Sequence, residues 1–357
     1  MRRVAVIVAG LVLLVLFGVG LIFTFSRLGD FELPQDNQQT VVFSQGGNTL
    51  QGTLITASGD GPVVLLVHGD GPQDRWSSGG YLPLVNTLLD AGISVFSWDK
   101  PGVGTSTGNW LRQSMNDRAD ETLAAIEALR QLPGVGQRPI GLLGFSQAGW
   151  VLPRVPALTD DVSFLLLMGG AINWQSQGRY YATIRLEREG KTPAEIATEL
   201  TRQAKAHRVW FEDDATYDEY LAAERSAGQR EGRTLSKDRF LFALLNHHED
   251  ARRNIAGLTL PVLVLSGADD LNADPQETVS VYRSLLNGVH PQSRFHIVPD
   301  ATHSLLSARR YNYQHLDQWP FTTQARFLLS GRNAYADGVL KTATDWIVEV
   351  STATHKN

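Results

Sequence analysis

The chain has 357 residues, with 32 basic and 37 acidic side chains, a net charge of −5 and no cysteine. A nearly balanced charge without a basic stripe gives no electrostatic footing for nucleic acid. The missing thiols exclude disulfides, thiolate metal sites, a cysteine nucleophile and a lipid-modified cysteine, while the length suffices for one large core with an inserted subdomain.

In chain order, Val4 to Phe25 comes first, 22 residues without a charge. At about 1.5 Å per residue such a run can cross the roughly 30 Å hydrocarbon layer. It closes on Phe23-Thr24-Phe25-Ser26-Arg27, which lacks the small residues of a signal-peptide cleavage site, so the stretch predicts an uncleaved transmembrane helix. Arg2 and Arg3 precede it and only Arg27 follows closely. The positive-inside bias then leaves the N-terminus in the cytoplasm and the chain beyond about residue 30 outside, in the periplasm. Residues 26–38 read as a polar linker.

Thr40 to Phe43 and Thr49 to Thr56 are β-rich and separated by Gly46-Gly47-Asn48, which predicts an antiparallel hairpin. Val63 to Val67 is a continuous apolar run of the kind found in strands covered on both faces. A helix follows over Leu82 to Ala91, a buried strand over Ile93 to Trp98, and an amphipathic helix over Asp117 to Leu132. Further strands are expected at Ile140 to Gly144, Phe164 to Met168, Val262 to Leu265 and Phe295 to Val298, with a closing helix over Asn333 to Val350. Strands alternating with helices predict an α/β fold, a mostly parallel sheet flanked by helices. About 90 residues between Gly170 and Pro261 are too many for a structureless crossover. With helix-prone segments at Pro193 to Val209 and Tyr217 to Glu224, they read as an inserted helical cap. The expected organisation is an anchor and linker over 1–38, core over 39–170, cap over 171–258 and core again over 259–357.

The chemistry centres on Gly144-Phe145-Ser146-Gln147-Ala148-Gly149, where an apolar strand breaks at small residues around one serine. Strand, tight turn and helix form a nucleophile elbow, which lifts the serine hydroxyl clear of the sheet edge. A serine needs a base within hydrogen-bond reach and an acid that orients the base. Downstream, Val262 to Ser266 runs into Gly267-Ala268-Asp269-Asp270, which supplies a carboxylate just past a strand end. Phe295 to Pro299 runs into Asp300-Ala301-Thr302-His303, which makes His303 the candidate base. His296, inside a strand, is expected in the core, and His247-His248-Glu249-Asp250 reads as a solvated cap helix rather than a metal site.

Charge developing on a carbonyl oxygen calls for two preplaced N–H donors. One would be the backbone of Gln147. The other would come from His68-Gly69-Asp70-Gly71-Pro72, with Asp70 favoured and Gly71 the alternative. The Asp70 carboxylate would repel an oxyanion, so it must turn away or be neutralised, with Arg75 and Lys100 the candidate partners. Trp76, Trp110, Trp150 and Trp174 could line an apolar acyl pocket. The glycines at 102, 104 and 108 lack phosphate-loop spacing.

These motifs, in this order, resemble the α/β-hydrolase superfamily. More narrowly, the chain resembles bacterial serine esterases and serine aminopeptidase-like hydrolases that carry H-G-S-G-P, D-K-R-G-V-G-x-S-T-G and G-H-S-Q-G-G. The resemblance spans about residues 40 to 350 outside the cap. It implies an α/β-hydrolase fold and a catalytic triad of Ser146, Asp270 (rather than Asp269) and His303. It also implies a structural, turn-holding role for Asp99 and no cofactor or metal. Departures are Asp70 for serine, Pro101 for arginine and Ala148 for glycine. The expectation is a membrane-anchored serine hydrolase acting on a small-molecule carboxylic ester. The alternatives are an aminopeptidase or amidase, an acyltransferase, or a catalytically silent binding protein on the same fold.

Overall fold

The computed structural model describes residues 28–213, 215–226 and 234–354. The expected membrane span, Val4 to Phe25, lies outside the described residues. Among the described residues no helix is long and apolar enough to cross a membrane.

Eight strands form one sheet: β1 (Gln38–Gln45), β2 (Asn48–Ile55), β3 (Val63–Val67), β4 (Ser94–Trp98), β5 (Ile140–Phe145), β6 (Val162–Met168), β7 (Val262–Gly267) and β8 (Arg294–Val298). Their spatial order is β1-β2-β4-β3-β5-β6-β7-β8. The hairpin closes with Gln45 opposite Asn48. Its two-residue turn, Gly46-Gly47, has φ of 58° and 79°, the paired positive values that match the twist of the flanking strands. β2 meets β4 antiparallel, and every pair from β4 onward is parallel. From β3 the chain steps to one side for β4 and to the other for β5. The crevice where ligands bind in such sheets therefore opens beyond the carboxyl ends of β3 and β5.

β3 is buried along its length, and alternate residues feed two cores. Val63, Leu65 and Val67 face α2 (Met115–Arg130) and α8 (Pro275–Leu286), whereas Val64 and Leu66 face α1 (Leu82–Asp90) and α11 (Val339–Thr354). α2 starts at a capping box formed by Ser114 and Asp117. The closing helix begins six residues later than the pattern predicted, because Gly331–Ala334 forms a 3₁₀ turn and Gly338 takes φ 79°. The elbow also departs from the expected strand–turn–helix. Ser146–Trp150 and Leu152–Ala157 are 3₁₀ turns, since Pro153 and Pro156 remove the donors an α-helix would need. His296 is exposed rather than buried, because β8 is the sheet's edge strand.

Between β6 and β7 lie α3 (Trp174–Arg188), α4 (Pro193–His207), α5 (Tyr217–Ser226), α6 (Lys237–Asn246) and α7 (Arg252–Ala256). Phe211, Tyr217, Tyr220 and Phe240 pack into a small aromatic core of their own. His247 is not on a solvated helix. It is buried at the C-cap of α6, against His207 and Phe211. Between β8 and α11 come α9 (Ala308–Tyr311) and α10 (Phe321–Ser330), which the sequence reading did not anticipate.

Candidate active site

Ser146 directly follows β5 with φ 51°, the left-handed region that a β-substituted residue enters only when its surroundings impose it. Phe145 is still extended, and Gly144 makes the turn possible. A Cβ at 144 would stand 2.5 Å from Leu152 Cδ1 and 2.7 Å from the Ala148 methyl. Ala148 is thus tolerated because the residue facing it has no side chain. In the loop after β3, a Cβ at Gly69 would lie 3.2 Å from Ser146 Cβ, so the expected oxyanion loop abuts the serine directly.

His303 follows β8, and its Nδ1 is 2.8 Å from Asp270 Oδ2. A carboxylate can only accept, so Nδ1 carries the proton and Nε2 is left with its lone pair. Asp270 is held in turn by the N–H groups of Asn272 (2.7 Å) and Ala273 (3.0 Å), both donating to Oδ1. Asp270 is buried and Asp269 exposed, so the carboxylate that faces His303 is Asp270. Burial alone would lower the His303 pKa, but the charge and hydrogen bond of Asp270 outweigh it and raise it above the ordinary histidine value. The His303 backbone crosses Gly169, the residue after β6, where a Cβ would strike the His303 carbonyl at 2.3 Å. β6 is the neighbour of β5, so Ser146, Asp270 and His303 share one rim of the sheet. No hydrogen bond joins Ser146 Oγ to His303 in this structure; such contacts commonly tighten only when substrate is bound.

The loop after β3, the expected oxyanion loop, is held from behind. Lys100 Nζ donates to the Gly69 carbonyl at 3.0 Å, and Arg118 Nη2 donates to the His68 carbonyl at 2.6 Å. The Asp70 N–H donates to no acceptor among the described residues. Arg118 also donates to Gln147 Oε1 at 2.7 Å, and Gln147 Nε2 donates to Asp70 Oδ1 at 3.2 Å. One buried guanidinium on α2 therefore ties the loop to the elbow. Burial, reinforced by Arg118, holds the Lys100 pKa well below the usual lysine range. Its ammonium lies 4.4 Å over the Trp110 ring.

The Asp70 carboxylate is neutralised, but the side chain that grips it is neither candidate partner. Arg75 is engaged by Asp99, whose carboxylate it grips through Nε at 3.0 Å and Nη2 at 2.6 Å, and it also donates to the Thr53 and Thr105 hydroxyls. Lys100 reaches the loop's carbonyl instead. The partner is Arg239 on α6, 169 residues along the chain, with Nη1 2.9 Å from Oδ1 and Nη2 2.5 Å from Oδ2. Burial would raise the Asp70 pKa, but the bidentate bond and charge of Arg239, with Lys100 behind, bring it below the usual carboxylate value. Asp99 is buried beneath the 99–108 turn and also accepts from the Thr105 N–H and hydroxyl. Burial opposes its ionisation, yet Arg75 and Thr105 lower its pKa to about 2.

Three of the four tryptophans meet near this rim. Trp150 stacks on Trp174 at 5.4 Å, and Phe242 bridges Trp174 and Trp110 at 6.1 and 5.6 Å. Trp76 packs instead into the core on the α1 side. Among the described residues no group of three or more histidine or acidic side chains could hold a metal ion. Sequence reasoning missed Arg118 and Arg239. Arg118 had a signal, since it falls in register with Thr122, Ala125 and Leu129 on the buried face of α2. Arg239 had none.

The profile of the serine aminopeptidase, S33, family matches residues 61–309. No curated protein matches the chain. Among solved structures, the α/β hydrolase GrgF from Penicillium sp. sh18 aligns with TM-score 0.55 at 16% identity, over 90% of this chain and 100% of that one. The Pyrococcus furiosus esterase Pf2001 aligns with TM-score 0.51 at 18% identity, over 76% and 87%. A Mycobacterium smegmatis proline iminopeptidase aligns with TM-score 0.52 at 16% identity, over 88% and 100%. At these identities the likeness speaks to the fold alone.

Proposed function

The chain belongs to the serine aminopeptidase, S33, family of α/β hydrolases, and on that premise we propose that it is a serine hydrolase cleaving carboxylic esters through an acyl-enzyme. Ser146 Oγ attacks the ester carbonyl carbon while His303 Nε2 takes its proton. The backbone N–H groups of Gln147 and Asp70 receive the negative charge on the carbonyl oxygen. The tetrahedral adduct collapses as His303 returns the proton to the departing alkoxide. Water, deprotonated by the same imidazole, then releases the acid. Asp270 keeps the ring in the productive tautomer and stabilises the imidazolium.

The observation that carries this reading is the 2.8 Å contact between His303 Nδ1 and Asp270 Oδ2, on the rim where Ser146 holds a left-handed backbone. A fluorophosphonate probe tests it. Wild type should be labelled and Ser146→Ala should not; a folded wild type that resists the probe overturns the reading in favour of a binding protein. The family's description as serine aminopeptidases favours amide cleavage by the same residues as a second reading. A panel of acyl esters of increasing chain length, with an aminoacyl amide included, separates the two.

We further read Val4 to Phe25 as a membrane anchor that holds the catalytic part outside the cytoplasm, supported by the uncharged length and by Arg2 and Arg3 before it. Protease added to intact spheroplasts should degrade the domain; protection until lysis would reverse the orientation.

A further inference from the structure

α10 carries apolar side chains on its outer face as well as on its inner one. The inner face carries Thr323, which is buried, and Phe327, whose ring meets Phe31, Trp319 and Tyr311 at 5.4, 5.6 and 6.2 Å. The outer face carries Phe321, 81% exposed, Leu328, 46%, and Leu329, 52%, with Leu316, 69%, in the turn just before. At about 100° per residue, Phe321, Ala325, Leu328 and Leu329 fall within roughly a third of the helix circumference. A helix on a water-facing surface carries polar residues there, and contiguous exposed apolar side chains mark an interaction surface.

The path of the chain identifies the partner. Residues 28–32 are fixed to the C-terminal end of this helix. Asp30 accepts from the Arg332 N–H at 2.9 Å and from Arg332 Nε at 2.7 Å, and Asn86 Nδ2 donates to the carbonyls of Asp30 and Glu32 at 2.8 and 2.9 Å. The uncharged run ends at Phe25, six residues before Phe31. Six residues reach at most about 20 Å, so a chain embedded through Val4 to Phe25 must carry α10 close to the lipid surface. Leu28, the first described residue, is also exposed, at 38%. Arg326 on the same helix adds an exposed cationic side chain, as the polar flank of an interfacial helix does on an anionic bilayer.

We propose that the outer face of α10, with Leu316, beds into the boundary between headgroups and acyl chains of the bilayer that carries the anchor, so that the domain lies on the membrane instead of swinging from a tether. This rests on the membrane-anchored reading above. The absence of cysteine makes the test direct. Phe321→Cys, Leu328→Cys and Val209→Cys, the last an exposed cap position, are each labelled with an environment-sensitive fluorophore. The labelled full chain is then reconstituted into phosphatidylcholine–phosphatidylglycerol vesicles bearing lipids spin-labelled near the top of the acyl chain. The expected result is at least twofold quenching at 321 and 328 and little at 209. Vesicle-bound chain with unquenched labels at 321 and 328 overturns the docking face while leaving the anchor standing. Oxidative cross-linking of Phe321→Cys between copies, without quenching, overturns it in favour of a dimer. Chain that stays in the supernatant overturns both readings.

Discussion

Replacing Lys100 by methionine separates catalysis from stability at a single atom. The ammonium donates to the Gly69 carbonyl at 3.0 Å, and that carbonyl belongs to the same peptide unit as the Asp70 N–H. No peptide bond in the described chain is cis, so oxygen and hydrogen lie on opposite sides of the unit. Pulling the oxygen toward Lys100 aims and polarises the Asp70 N–H in the opposite direction, toward the position an oxyanion would occupy. A hydrogen bond to a charged group contributes about 1.5–3 kcal/mol. If most of that acts on the transition state, at about 1.4 kcal/mol per tenfold, kcat should fall about 10- to 100-fold. KM should change by less than about threefold, since the ground-state carbonyl makes little use of the hole. Stability should move the other way or not at all. Lys100 is buried and has no carboxylate in ion-pair contact among the described residues, and methionine relieves a buried charge of its desolvation cost at nearly constant volume. The assay is hydrolysis of a short activated ester, normalised to active sites by fluorophosphonate titration, with Tm measured in parallel. Unchanged kcat in a folded variant would refute the polarisation argument, and so would a loss of activity that simply follows a loss of Tm.

Other predictions follow from the same network. The raised His303 pKa places the acid limb of kcat/KM above the ordinary histidine value, because the base works only when neutral and loses that form at a higher pH. Asp270→Asn should move the limb to lower pH and cut kcat by about 10⁴; a limb that stays put in the pH–rate profile would disconnect the pair. Arg239→Ala removes a part-exposed ion pair, so by itself it should cost less than about 1 kcal/mol of stability in denaturant unfolding. The uncompensated Asp70 carboxylate should nonetheless lower kcat about tenfold or more, and Asp70→Ser in the same chain should restore it. Failure of that rescue would show that Arg239 acts elsewhere. Asp99 ionises in the folded chain near pH 2, below its unfolded value. It therefore supplies stability above about pH 4, worth about 2 kcal/mol, that is lost as the pH falls toward 2. Acid unfolding of Asp99→Asn should be correspondingly shallower over that interval, starting from a less stable protein.

Local sequence was enough wherever one segment answered to one constraint. Val63 to Val67 reads as a doubly covered strand because five consecutive apolar residues suit little else, and Gly46-Gly47 reads as a turn because both residues take positive φ. The serine between Gly144 and Ala148 announced its own geometry, since the close approach of Leu152 leaves no room for a Cβ at 144. The order of serine, acid and histidine along the chain matched the order of three strand ends on one rim.

Other features depended on segments that meet only after folding. Proline at 153 and 156 turned the expected elbow helix into 3₁₀ turns, and the sheet edge left His296 in solvent. Arg239 and Asp70 are 169 residues apart, and no periodicity links them. Their pairing exists because the segment between β6 and β7 brings α6 against the loop after β3. Arg118 and Lys100 look like surface charges in composition, yet they are buried because two backbone carbonyls behind that loop offer them partners. Hydrophobic pattern and turn chemistry are short-range properties written in neighbouring residues. The compensation of a buried charge is a property of whatever the fold brings alongside it, and only the tertiary structure decides that.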